Sequence, residues 1–192
     1  MTETSSHERD YLPGMGRHYL LPFYDLAHRV SGLGRVHEEM VALAGLSGGE
    51  SVLDVGCGTG NLLRAAGKRG AVLTGVDPDL KMLAKAERKL RRAGLRARLD
   101  RGYAQELPYP DGSFDRVFSS LMLHHLEGAS KGEMLAEVRR VLKPGGVFVL
   151  ADVVHHGHAG EHVAAAGFTV EPTRTRTLRV FGAVGIEVAT VH

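Results

Sequence analysis

A chain of 192 residues, 43% hydrophobic and 24% charged, has enough apolar side chains to build one compact domain and too many for a disordered polymer. Its formal net charge of +2 comes from basic residues spread along the sequence, so composition points to a small-molecule partner and away from nucleic acid. A single cysteine, Cys57, excludes an intramolecular disulfide and a cysteine-built zinc cluster, while residues 1–10 carry no signal-peptide pattern and no apolar run reaches membrane-spanning length; a cytoplasmic protein is expected.

Residues 1–10 read as a flexible polar tail, and residues 11–46 as an N-terminal helical lid in front of a core domain over residues 47–192. Within the lid, aromatics alternate with proline and glycine over residues 11–24, and Tyr19 and Tyr24 are candidates for touching cofactor or acceptor as well as for anchoring the segment to a sheet. Val36, Met40, Leu43 and Ala44 recur at helical spacing before Ser47, Gly48 and Gly49 end the run. From there the pattern alternates: strand 51–55, helix 61–68, strand 71–76, helix 78–93, strand 95–101, strand 114–120, helix 131–142, strand 146–152 and helix 160–166. Such alternation implies a parallel sheet covered on both faces. The ending differs, because residues 168–178 and 179–191 are two β-rich runs with no helix between them and must pair antiparallel.

The sharpest motif is the strand Val52-Leu53-Asp54-Val55 running into Gly56-Cys57-Gly58-Thr59-Gly60 and then a helix. Glycines there admit positive φ and carry no Cβ, so the main chain can approach a ligand while the helix start offers free N–H groups. A dinucleotide-binding loop needs a third glycine where this chain has Asn61, so the pattern is Gly-x-Gly-x-Gly and disfavours a nicotinamide cofactor. Seventeen residues beyond Gly60, Asp77 ends the second strand ahead of Pro78. Its carboxylate is placed to accept from both ribose hydroxyls of an adenosine; capping the next helix, with Pro78 in the first turn, is the other reading.

With these residues the chain resembles the class I S-adenosylmethionine-dependent methyltransferases, most of all the group similar to the ubiquinone and menaquinone biosynthesis methyltransferases. The likeness covers residues 50–152 and includes Glu106-Leu107-Pro108-Tyr109-Pro110-Asp111-Gly112-Ser113-Phe114-Asp115, Ser119-Ser120-Leu121-Met122-Leu123-His124-His125, and Leu142-Lys143-Pro144-Gly145-Gly146. It implies an α/β, Rossmann-like three-layer sandwich whose seven-stranded sheet has the order 3-2-1-4-5-7-6 with strand 7 antiparallel. It also implies an enzyme with S-adenosyl-L-methionine as cofactor. Asp54 and the loop of Gly56, Gly58, Thr59 and Gly60 would hold its amino-acid end, Asp77 with Pro78 the ribose, Ala104 the adenine edge through its backbone, and Ser120 the methionine portion. Tyr103 stands where relatives commonly have an aspartate or asparagine that accepts from the adenine amino group, so adenine binding is expected to be altered at that residue.

Methyl transfer from a sulfonium needs alignment more than catalytic groups. Where the acceptor is a hydroxyl or an acidic carbon a base helps, and His124 and His125, at the exit of the fourth strand, are the catalytic candidates; packing and capping are the alternatives. Asp152, His155, His156, His158 and His162 have metal-ligand types and spacing, but histidines in a short polar loop are ordinarily solvated and no metal is assigned. Arg174, Arg176 and Arg179 alternate with threonines and read as a solvated outer strand face. The stretch from Asp152 to Gly160 is too short for a substrate cap, so the acceptor pocket is expected to be finished by the lid, by the second subunit of a homodimer, or to stay open.

Overall fold

In a computed structural model, residues 31–154 and 159–191 are described. Strands β1 (Ser51–Val55), β2 (Val72–Asp77), β3 (Ala97–Arg101), β4 (Phe114–Ser120) and β5 (Leu142–Val153) form one parallel set. Helices α1 (Leu33–Leu43), α2 (Asn61–Gly67) and α3 (Leu80–Arg92) precede or join the first of them; α4 (Ala129–Val141) leads into β5 and α5 (Gly160–Ala165) follows it. The chain closes with β6 (Thr169–Val170), β7 (Arg174–Leu178) and β8 (Gly182–Thr190). Among the described residues no helix is long and apolar enough to cross a membrane.

The sheet order is β3-β2-β1-β4-β5-β8-β6, with β7 also on β8 and β8 antiparallel to β5. This is the expected order, with the outermost strand split into β6 and β7. Pro172 has no N–H to give the ladder, so after Glu171 N donates to Val188 O at 2.9 Å the edge breaks and resumes at Arg174. Both faces of the central strands are buried, as a parallel sheet between helices demands. Val52, Phe118, Val149 and Ala151 pack on the side of α1, α2 and α3, whereas Leu53, Val117, Phe148 and Leu150 pack on the side of α4 and α5. Helix α1 belongs to the first of these layers through Leu33, Val36, Met40 and Val41, all buried.

Helix α3 begins two residues later than a cap at Asp77 with Pro78 as first helical residue would require. Asp79 is its N-cap and accepts from Lys81 N at 2.7 Å, so the cap is not Asp77. No helix links β3 to β4; Arg140 on α4 fixes that connection instead. Its guanidinium donates to Tyr109 O and Asp111 Oδ1, each at 2.8 Å, and to Leu107 O at 3.0 Å, while Glu137 Oε2 accepts from Leu107 N at 2.7 Å.

Candidate active site

The glycine loop lies at the carboxyl end of β1. Gly56 N and Cys57 N both donate to Val76 O, and Gly60 N closes the turn on Cys57 O at 2.9 Å. The glycines serve different ends. A Cβ on Gly56, at φ 74, would stand 2.7 Å from Met122 Cγ, so this glycine makes room for a side chain of the protein itself. A Cβ on Gly58, at φ 50, would meet nothing within 4 Å, so this glycine borders open space. Gly60 forms the start of α2, close against Ala86 of α3.

Two buried acids flank the loop. Asp77 accepts from Gly58 N through Oδ2 and from Asp79 N through Oδ1, both at 2.9 Å, which pins loop to strand and helix. Burial raises its pKa in spite of those bonds. Asp54 is 3% exposed and its side chain makes no hydrogen bond among the described residues. Desolvation, with the charge of Asp77 adding to it, pushes its pKa up to about 8. A buried carboxylate without a donor fits a ligand that brings a cation, as the ammonium of S-adenosylmethionine does. The same burial pushes the Cys57 thiol well above its ordinary range, consistent with a filler and not a nucleophile.

At the exit of β4 the backbone is strained. Leu121 has φ 53, the one positive-φ non-glycine residue among those described, and is held there by its N–H on Ala151 O at 2.8 Å. That turn sends Met122 over Gly56 and starts the 3₁₀ turn Leu123–His125. His124 Nδ1 pairs with Asp152 Oδ1 at 2.5 Å and its backbone N–H donates to Asp152 Oδ2 at 2.9 Å, while Val153 N donates to Oδ1 at 2.7 Å. The side chain of Asp152 is 4% exposed and that of His124 33%, so one ring nitrogen is anchored and the imidazole still reaches the surface. The His125 ring lies 4.0 Å from that of His124 and tilted 41° to it, and burial first, then the neighbouring His124, lowers its pKa.

The other expected site residues are distributed around this centre. Thr59 is buried and turned toward α3, accepting from Lys89 Nζ at 2.8 Å. Pro78 and Ala104 are half-buried, and Tyr103 bridges to Glu106 at the turn after β3. Tyr19, Tyr24, His155, His156 and His158 lie outside the described residues. Among the described residues no group of three or more histidine, cysteine, aspartate or glutamate side chains could hold a metal. Arg176 is paired with Glu39 and Arg174 with Glu171. Two residues were not singled out for the roles their contacts give them. Asp152 orients His124 from 28 positions away, and His37 of α1 places Nε2 3.0 Å from Ser120 Oγ. A histidine on an otherwise apolar helix stripe was the available signal for His37.

Comparison with known proteins gives the same picture. Residues 52–146 match a family described as methyltransferase domain. An uncharacterized methyltransferase of Synechocystis is 35% identical over 124 residues, 65% of this chain and 57% of that protein. The demethylmenaquinone methyltransferase of Tropheryma whipplei is 37% identical over 114 residues, 59% of this chain and 46% of its own length. The chain thus spans about half the length of the curated relatives it matches. Among solved structures, the [4+2]-cyclase SpnF superposes with a TM-score of 0.73 at 22% identity, covering 82% of this chain and 81% of that one, which is a likeness of fold.

Proposed function

We propose that this chain, whose residues 52–146 match a methyltransferase domain, is an S-adenosylmethionine-dependent methyltransferase that transfers a methyl group to a small-molecule acceptor whose nucleophile must lose a proton. The observation that carries the cofactor half is the open glycine, Gly58, together with the buried carboxyl of Asp54, which has no hydrogen-bond partner among the described residues. Asp54 with Gly56, Gly58, Thr59 and Gly60 would hold the amino-acid end, Asp77 and Pro78 the ribose, Tyr103 and Ala104 the adenine, and Ser120 the methionine portion. Asp77 already spends one lone pair per oxygen on backbone N–H groups, and a carboxylate oxygen can accept a second bond.

When bound, S-adenosylmethionine supplies an electrophilic methyl on a sulfonium. The protein's part is proton removal and alignment. With Nδ1 held by Asp152, His124 keeps Nε2 for the acceptor's proton, the arrangement of a general base with an orienting acid. A thiolate or a free amine needs no such base, so the pair favours a hydroxyl, a phenol or an acidic carbon. His125, its protonated form disfavoured, limits positive charge beside His124.

Residues 11–46 act as a lid on a core of residues 47–192 in this reading, with Tyr19 and Tyr24 against the acceptor and residues 1–10 a tail. A homodimer, a cytoplasmic location and the absence of a nucleic-acid partner are parts of the same proposal. Calorimetric titration with S-adenosylmethionine, S-adenosylhomocysteine and NAD is its test. Micromolar binding of the adenosyl ligands, absent for NAD and lost in Asp77→Ala, is expected and licenses an acceptor screen. No binding of either adenosyl ligand sinks the reading. A cyclase shares this fold, so binding without methyl transfer to any hydroxyl-bearing acceptor would favour a cofactor-binding protein without turnover.

A further inference from the structure

Helix α1 lies outside the residues that match the methyltransferase family, yet one of its side chains reaches the site. His37 shares a helix stripe with Leu33, Val36, Met40 and Val41 and is 6% exposed. An imidazole buried in such a stripe is costly unless a polar partner meets it. One such partner is Ser120 Oγ, 3.0 Å from Nε2 and 83 positions along the chain. Ser120 is the last residue of β4, followed directly by Leu121 at φ 53, so its hydroxyl sits where the sheet opens to the site. Left alone, a serine hydroxyl at a sheet rim samples several rotamers and two hydrogen-bond polarities.

We propose that His37 is a positioning residue of the cofactor site, fixing the Ser120 hydroxyl for the methionine end of the adenosyl ligand and so tying ligand affinity to the seating of α1. The proposal rests on the cofactor reading given above. Depending on its tautomer, Nε2 donates to Oγ or accepts from the hydroxyl, and in either case the bond selects one orientation of Ser120. The effect acts through Ser120 and not through the general packing of the helix. Helix α1 has a second tether, Glu39 to Arg176 on β7, at 2.6 and 2.9 Å; this exposed pair serves as the control.

The experiment is a calorimetric titration of the full chain with S-adenosylhomocysteine, with a melting curve for each variant. His37→Phe and Ser120→Ala are each expected to weaken binding about five- to tenfold, the worth of one polar contact. The double variant should bind no worse than the weaker single one, because the two side chains act as a unit. His37→Gln, which keeps a side-chain donor and acceptor, should recover part of the loss, and Arg176→Ala should leave affinity unchanged. Additive losses in the double variant, or a loss in Arg176→Ala equal to that in His37→Phe, overturn this proposal while leaving the cofactor reading intact. Absence of binding by the unaltered chain overturns both. If His37→Phe fails to fold, His37→Gln, Ser120→Ala and the double variant carrying both decide by the same non-additivity.

Discussion

Asp54 and Asp152 occupy matching places, near the carboxyl ends of β1 and β5, and both are buried, at 3% and 5% exposure. Asp152 accepts from His124 N, His124 Nδ1 and Val153 N. Asp54 accepts from no donor among the described residues. Equal burial therefore hides opposite assignments. A saturated carboxylate is a fixed part of the scaffold, able to orient a neighbour but not to take up a ligand. An unsaturated one is a cost to the free protein that a ligand with donors can offset.

The sharpest way to break this contrast is to neutralise Asp152. Asp152→Asn would present an amide N–H where His124 needs an acceptor and disturb the tautomer, so turnover is expected to fall about a hundred- to ten-thousandfold with S-adenosylhomocysteine affinity unchanged. Steady-state rates and calorimetry on the same preparation read both, and unaltered turnover would remove His124 from the mechanism. Asp54→Ala should do the reverse. Ligand affinity is expected to drop about a hundredfold, the scale of losing one partner of a buried charge pair, while the ligand-free protein melts higher than the unaltered chain. A lower melting temperature would show that Asp54 has structural donors after all.

Acidity tests the same acid without mutation. With its folded pKa raised from about 4 to about 8, Asp54 contributes stability that is full below pH 4 and lost as pH rises toward 8. Asp54→Ala should flatten that part of the melting profile. A cationic ligand group favours the charged carboxylate, so binding at pH 7 should release protons, read as a dependence of titration heat on buffer ionisation enthalpy; heats independent of buffer would deny the coupling. A smaller effect is expected at Gly58→Ala, where the left-handed φ of 50 costs about 1–2 kcal/mol of stability and the new methyl enters open space, lowering ligand affinity. The smallest is Ser119→Ala: its hydroxyl is fully buried and without a partner among the described residues, so chemical denaturation should show a gain of about 1 kcal/mol. Destabilisation there would reveal an interaction of that hydroxyl.

The sheet was legible because alternating strand and helix periods are local signals, and the antiparallel ending followed from two β-rich runs with no helix between them. The split of the edge strand was not anticipated, although Pro172 was its cause and stood in the sequence. Asp77 was placed by spacing, while the true helix cap, Asp79, lay two residues on. The long-range contacts around the proposed site were harder to see. Asp152 was grouped with the nearby histidines of its own loop, yet its partner is His124 across the neighbouring strand, and His37 meets Ser120 over 83 positions. Periodicity tells which face a residue takes; it does not tell which residue of another element faces it.

Strand β8 also sets the order in which the molecule can be completed. It pairs along seven residues of β5 on one side and with β6 and β7 on the other, and it follows all three in the chain. During synthesis, β5 must therefore wait with one edge bare until residues 182–190 have left the ribosome. A nascent chain arrested before Gly182 carries an open hydrophobic strand edge into the cell, and there a chaperone or another nascent chain is the nearest substitute for β8.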